Sequence, residues 1–185
     1  EAPATYGIVK AGDFQAAGIR MVRGGDIKGG VINKDLPLVS AEIHQEYRRT
    51  IIRKDDVLIA LVGYPGEAAV VPEELAGSNV SRAVGLLRPA AQLNPHFLAS
   101  YLNSDKGRRE VLAPSAGSAQ LVVNLGALNA LKLTLPGPAE QGRISRFLTT
   151  LNEKLSAQID LLDALQAHKS GLMQQLFPSS VEAAT

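Results

Sequence analysis

The sequence predicts an α+β protein: a mixed globular head built on short strands, followed by a long C-terminal helix of coiled-coil type. Three observations carry this prediction. Short β-like runs separated by glycines fill most of the first 137 residues, the composition turns sharply at Leu135-Pro136-Gly137-Pro138, and beyond that point apolar residues recur at helical spacing almost to the end. The predicted organisation is therefore a head over 1–137, a helix over 138–177 and a disordered tail over 178–185.

Within the head, the strand candidates in order are Gly18–Arg23, Asp56–Val62, Glu67–Val71, Ser81–Arg88 and Leu131–Leu135, each a short run rich in apolar and β-branched residues. Gly24-Gly25, Gly29-Gly30, Gly63-Tyr64-Pro65-Gly66 and Gly77 supply turns, because glycine tolerates positive φ and proline presets a turn φ. Asn94-Pro95 opens an amphipathic helix, with Asn as cap, Pro at the first helical position, and Phe97, Leu98, Tyr101 and Leu102 on one side. Ser40–Arg49 and Asn124–Leu131 are shorter helix candidates.

The tail carries the most regular pattern. Alternate steps of four and three from Ile144 reach Leu148, Leu151, Leu155, Gln158, Leu162, Leu165, Lys169, Leu172 and Leu176, so eight of ten seam positions are aliphatic. Phe147, Ile159, Leu161 and Met173 widen the stripe beyond what one partner helix needs. From Ala139 to Leu176 the helix is about 57 Å long at 1.5 Å per residue, and a stripe of that length calls for another helix to cover it. Gln158 and Lys169 interrupt the seam: they suit either a partly solvated edge or the fixing of helix register.

Composition narrows the function classes. The 185 residues contain no Cys and no Trp, which excludes a disulfide scaffold and a thiolate metal site. No run of about 18 apolar residues occurs, and no basic segment leads into an apolar stretch near residue 1, so the expectation is a cytoplasmic protein with neither membrane span nor signal peptide. The formal net charge is +1, and residues 1–138 carry 15 basic against 13 acidic groups. That excess is too small for strong non-specific DNA affinity unless the cations gather on one face.

Catalytic constellations are missing from the pattern. His44, His96 and His168 lie on three different elements without metal-ligand spacing, no phosphate loop of the GxxxxGK[ST] type occurs, and Ser118 lacks the second glycine of a nucleophile elbow. Asp55-Asp56 and Glu73-Glu74 are adjacent pairs whose side chains point to opposite faces of a strand. The expectation is a non-enzymatic chain with no metal and no cofactor. What remains is polar recognition chemistry: one basic cluster at Arg48, Arg49, Arg53 and Lys54, another at Lys106, Arg108 and Arg109, each with carboxylates close enough in sequence that mutual pairing is the competing reading.

The order of motifs resembles the target recognition domain of a type I restriction-modification specificity subunit. The likeness is carried by Tyr6-Gly7-Ile8-Val9-Lys10, Gly18 to Ile27, Tyr47-Arg48-Arg49-Thr50, Asp55 to Gly63, Asn79-Val80-Ser81-Arg82-Ala83, Phe97 to Leu102 and Asn124-Leu125. It continues through Leu133 to Pro138, Glu140-Gln141 and the heptad helix, from about Tyr6 to Phe177. The resemblance implies a non-catalytic DNA-reading subunit that works with DNA methyltransferase subunits and a translocating restriction subunit. In that family a full subunit has two recognition domains spaced by two long antiparallel helices, each domain reading half of a split target. This sequence has one head and one helix, so the expectation is a half-subunit that pairs with itself through Ile144, Leu148, Leu151, Leu155, Leu162, Leu165, Leu172 and Leu176.

Base edges take Arg, Lys, Asn, Gln, Ser or Thr, and phosphates take Lys, Arg, Tyr and Ser. The candidates for contact with double-stranded DNA are Lys10, Arg48, Arg49, Tyr64, Asn79, Ser81, Arg82, Ser118 and Gln120. Arg20 and Arg23 share a polar strand face, where pairing with Asp13 or Asp26 competes with DNA contact. The alternative function is an assembly adaptor, a coiled-coil protein whose head binds protein without DNA specificity.

Overall fold

The computed structural model describes residues 3–117 and 120–177, and the chain divides into two compact units, Glu1–Ser145 and Arg146–Thr185. In the first unit β1 (Thr5–Tyr6), β2 (Ile19–Val22), β3 (Ile27–Lys28), β4 (Val31–Ile32) and β5 (Leu38–Val39) precede the short helix α1 (Ala41–Glu46). Then come β6 (Val57–Ala60), β7 (Ala68–Val70), β8 (Asn79–Val80) and β9 (Val84–Leu87), followed by α2 (Pro95–Asn103), α3 (Asp105–Leu112) and α4 (Leu125–Ala130). Helix α5 (Pro138–Leu176) begins in the first unit and makes up the described part of the second, so the α+β head and the long C-terminal helix are both present.

An antiparallel sheet of order β1-β9-β6-β7 forms the centre of the head. All four residues of β6 are fully buried, which is why its sequence is a continuous apolar run. The alternation of a strand still sorts them: Leu58 and Ala60 enter one core cluster with Val22, Ile52 and Leu75, whereas Val57, Ile59 and Leu61 enter the other with Leu98, Leu102, Val111 and Leu128. A second sheet, β5-β2-β8, pairs β2 antiparallel to β5 and parallel to β8, and β3 with β4 forms a separate hairpin. A third, smaller cluster of Ile8, Met21 and Val39 receives Ile43 and Tyr47 from the α1 region.

The capping chemistry follows the sequence. The Asn94 side chain accepts from the Phe97 amide at the start of α2, and Ser40 caps α1 by accepting from Ile43. The buried face of α2 is Leu98, Ala99 and Leu102; Phe97 and Tyr101 are only half-buried. The span predicted as one helix from Ser40 to Arg49 breaks after Glu46 and continues as a 3-10 turn at Arg48–Thr50.

Two elements differ from expectation. Leu131–Leu135 is no strand: it joins no ladder, and its alternating leucines arise because Leu131 and Leu133 pack against the second core cluster from an extended connection. Helix α3 has no apolar periodicity to announce it, since its DKGRRE run is strongly polar; Ser104 caps it and Val111 alone supplies a fully buried apolar side chain.

The head also runs further than the composition change at Pro138. Gln141, 1% exposed, accepts from the Asn94 amide (2.9 Å) through its side-chain oxygen and donates to the Gln92 (3.1 Å) and Pro136 (2.9 Å) carbonyls through its nitrogen. The Ser145 hydroxyl donates to the Gln141 carbonyl and lies 3.2 Å from the Asn94 side-chain oxygen. A buried amide with all these bonds satisfied ties the first turns of α5 into the head, and the compact unit ends at Ser145. Beyond it, Leu151, Leu155, Leu162, Leu165, Leu172 and Leu176 are exposed, while Leu148 is half-buried, as is Ile144 within the head. The 178–185 tail predicted from sequence lies outside the described residues.

Candidate nucleic-acid interface

The N-terminal segment Tyr6–Lys10 is the strip around which most of the predicted contact residues gather. Gly7 and Ile8 donate their amides to the carbonyls of Ser81 (3.3 Å) and Val80 (2.7 Å), and the Arg82 amide returns a bond to the Ile8 carbonyl (2.8 Å). The approach is so close that a Cβ on Gly7 would lie 1.8 Å from the Val80 carbonyl oxygen, so no other residue fits there. Ser81 and Arg82 are thereby held beside Val9 and Lys10. On its other flank the same segment forms a cleft of about 370 Å³ with Glu46, Tyr47, Arg48, Arg49 and Thr50. The 3-10 turn presents both arginines to solvent, and the Thr50 hydroxyl fastens it by donating to the Tyr47 carbonyl (3.0 Å).

Four unpartnered cations gather in this region. Lys10, Arg48, Arg49 and Arg82 are exposed, and among the described residues none of their charged heads has an ion-pair or hydrogen-bond partner. Arg53, Lys106 and Lys132 are likewise exposed and without a side-chain partner among the described residues, whereas the cations that follow are committed. Arg23 makes a two-pronged pair with Asp26, whose hydrogen bond raises the guanidinium pKa above its ordinary value. Arg20 donates to the Glu74 carbonyl, Arg88 pairs with Asp56 (3.2 Å), Arg108 with Glu67 (2.5 Å), and Lys34 and Lys54 with Glu74 and Glu73. Mutual pairing thus holds for the Lys54 end of the first basic cluster and the Arg108 centre of the second, and fails at Arg48, Arg49, the Arg53 guanidinium and Lys106.

Asp56 illustrates the structural use of acid in this head. Its carboxylate accepts from the Arg53 amide (2.8 Å) and from Arg88, which also donates to the Ile51 carbonyl (2.7 Å). Burial pushes the Asp56 carboxyl above its ordinary pKa against these opposing bonds. Neighbouring Asp55 adopts a positive φ of 66°, so the pair turns a corner instead of converging on a substrate.

Asn79 needs correction as a contact residue. It is fully buried, its side-chain oxygen lies 2.5 Å from His44 Nδ1, and it links β8 to α1, so its amide stays out of reach of a nucleic acid in this fold. Ser81 is half-buried and its hydroxyl accepts from the Ala83 amide (3.3 Å). Gln120 is exposed; Val122 and Asn124 just beyond it border a second cleft of about 400 Å³ along Tyr6. Ser118 lies outside the described residues. Tyr64 sits elsewhere, on the 63–66 turn, with the Lys28 ammonium 5.1 Å from its ring centroid. Sequence reasoning did not single out Tyr6, exposed by half between the two clefts, although it stands at the head of the Tyr-Gly-Ile-Val-Lys run.

Among the described residues no cluster of three or more His, Asp or Glu is placed to hold a metal, and no helix is long and apolar enough to cross a membrane.

The comparisons with known proteins agree with one another. The chain is 32% identical over 163 residues to the type I restriction enzyme EcoBI specificity subunit of Escherichia coli, covering 87% of this chain and 33% of that protein. The HsdS subunit from Thermoanaerobacter tengcongensis superposes with a TM-score of 0.62 at 23% identity, over 85% of this chain and 41% of that one. The S subunit of the type I restriction-modification system from M. genitalium gives 0.57 at 17% identity, over 95% and 43%. These identities speak for a shared fold, and the chain spans about a third to two fifths of the length of these relatives. Residues 11–163 match the model of the type I restriction modification DNA specificity domain, and the chain belongs to that family.

Proposed function

We propose that this chain is a DNA-reading component of a type I restriction-modification assembly, recognising one half of a bipartite target and doing no chemistry itself. The observation that carries this reading is the group of four unpartnered cations, Lys10, Arg48, Arg49 and Arg82, along one N-terminal strip of a family member. A solvated surface cation gains little by standing alone, but four on neighbouring loops release counterions together when they meet phosphates. Ser81 beside the strip and Gln120, two residues before the Val122 edge of the second cleft, carry groups that suit base edges, and catalysis falls to methyltransferase and restriction subunits acting in the cytoplasm at the site this chain selects.

The finer part of the proposal concerns α5. Its leucines from Leu151 to Leu176 are exposed, and a second copy laid antiparallel would cover them while placing the two heads at opposite ends of the pair. The 39 residues of α5 extend about 58 Å, which bounds the separation of two half-sites at about 17 base pairs.

The genomic methylation motif, compared with and without the gene, tests the reading. A split motif that disappears on deletion is expected; an unchanged motif overturns it, and duplex binding without salt dependence turns the reading toward a protein adaptor. Light scattering at micromolar concentration should give a dimer that Leu155→Glu with Leu162→Glu converts to monomer. A wild-type monomer removes the self-pairing alone.

A further inference from the structure

The β3–β4 hairpin lies outside the Tyr6–Lys10 strip, seated on the core through Ile27 and Ile32. Gly29 and Gly30 at its tip both take positive φ, 62° and 80°, as a two-residue hairpin loop whose twist matches its strands requires. The tip is then clamped: the Gly29 amide donates to one Glu67 carboxylate oxygen (3.0 Å), and the other oxygen accepts from Arg108 (2.5 Å). Arg108 spends its charge on this clamp, whereas the Lys28 ammonium has no carboxylate and rests over the Tyr64 ring at 5.1 Å. Cation–π contact orients an ammonium without neutralising it. Beside it Val31 is 67% exposed and Tyr64 44%, a small apolar surface next to a positive charge.

The hairpin is linked to the strip by a run of loops in contact. The Leu61 amide donates to the Ala83 carbonyl (2.8 Å), next to Arg82, and the Tyr64 turn lies against Gly24-Gly25, where a Cβ on Gly63 would come 3.1 Å from the Gly25 nitrogen. The order Arg82, Ala83, Gly24, Gly25, Gly63, Tyr64, Lys28 thus follows one run of touching loops, a Cβ on Gly24 coming 2.9 Å from the Ala83 carbonyl oxygen.

We propose that the β3–β4 hairpin and the Gly63–Gly66 turn form a second duplex contact, in which Lys28 takes a backbone phosphate and Tyr64 is the positioning residue that holds the ammonium ready. It rests on the DNA-reading proposal and adds to it a contact that is blind to sequence, because phosphate carries no base identity.

The test is the salt dependence of binding of the full chain to a random-sequence duplex. One lost phosphate contact should lower the slope of log affinity against log salt by about 0.9. Lys28→Ala should therefore flatten the slope by about that much, Lys28→Arg should restore it, and Tyr64→Ala, which removes the ring, should weaken binding in the wild-type chain but not further in the Lys28→Ala chain; a further loss there overturns the positioning role of Tyr64. Lys28 is exposed, so the melting temperature should not move. A Lys28→Ala slope equal to wild type overturns the hairpin contact while leaving the DNA-reading proposal intact. A wild-type chain with no salt-dependent binding overturns both.

Discussion

Two sets of cations in the same head have opposite lives. Arg23, Arg88 and Arg108 face carboxylates whose side chains are largely buried, and each also braces a turn, a strand end or a hairpin. Lys10, Arg48, Arg49 and Arg82 sit on 3-10 turns and strand-edge loops with open solvent around them. Removing one partner of a buried pair leaves an uncompensated charge in a low-dielectric site, whereas removing a solvated cation leaves the fold nearly unchanged. The first set maintains the scaffold, and the second is available to a ligand.

The largest effect that would break this contrast comes from Asp56→Ala. It should cost about 3 kcal/mol of stability, the lower end for a buried pair, because Arg88 keeps 30% of its side chain in solvent. Denaturant unfolding checks this, and a loss below about 0.5 kcal/mol would put Arg88–Asp56 among ordinary surface pairs. Next, Arg48→Ala with Arg49→Ala should leave stability within about 0.5 kcal/mol of wild type. Their DNA binding should nevertheless weaken, with about 1–3 kcal/mol lost for any arginine that reads a base edge and a salt slope lower by about 0.9 for any that meets a phosphate. Equal binding by the double variant and wild type would remove these arginines from the interface.

A smaller effect lies in the pH profile of Asp56. Its folded pKa is raised above the ordinary 3.8 by burial. The folded state thus holds the proton more tightly than the unfolded chain, and this contribution to stability is complete below the unfolded value and is lost as pH rises through the folded one. Stability measured across the acidic range should decline for wild type relative to Asp56→Asn, which has no proton to lose; parallel curves would refute the assignment. The smallest effect concerns Tyr101, whose hydroxyl donates to Glu110 (2.6 Å), an interaction that raises its pKa to about 12. The stabilisation is present below the ordinary value of 10.0 and lost as pH rises through about 12. Tyrosinate absorbance should show Tyr101 titrating late, and Glu110→Ala should return it toward 10.0 with a small loss of melting temperature.

Legibility from sequence followed the range of the forces involved. The α2 cap at Asn94, the β6 run and the heptad stripe of α5 depend on residues a few positions apart, and each was readable. The strand expected at Leu131–Leu135 failed because alternation reports a half-buried stretch and not a pairing partner. Helix α3 was hidden by its charges, and Asn79 looked like a reader of bases because its residue type suits an adenine edge as well as it suits a bond to His44.

Sequence alone determined the α+β class, the long amphipathic helix and, through the order of its motifs, the family, because periodicity and motif spacing are properties of the chain itself. Tertiary structure alone decided which cations are neutralised. Arg88 meets Asp56 across 32 positions and Arg108 meets Glu67 across 41, whereas Arg48 and Arg49 meet no partner although Glu46 lies two positions before Arg48. Coulomb energy falls with distance through space and not along the sequence, so the charges left without a partner appear only once the chain has folded.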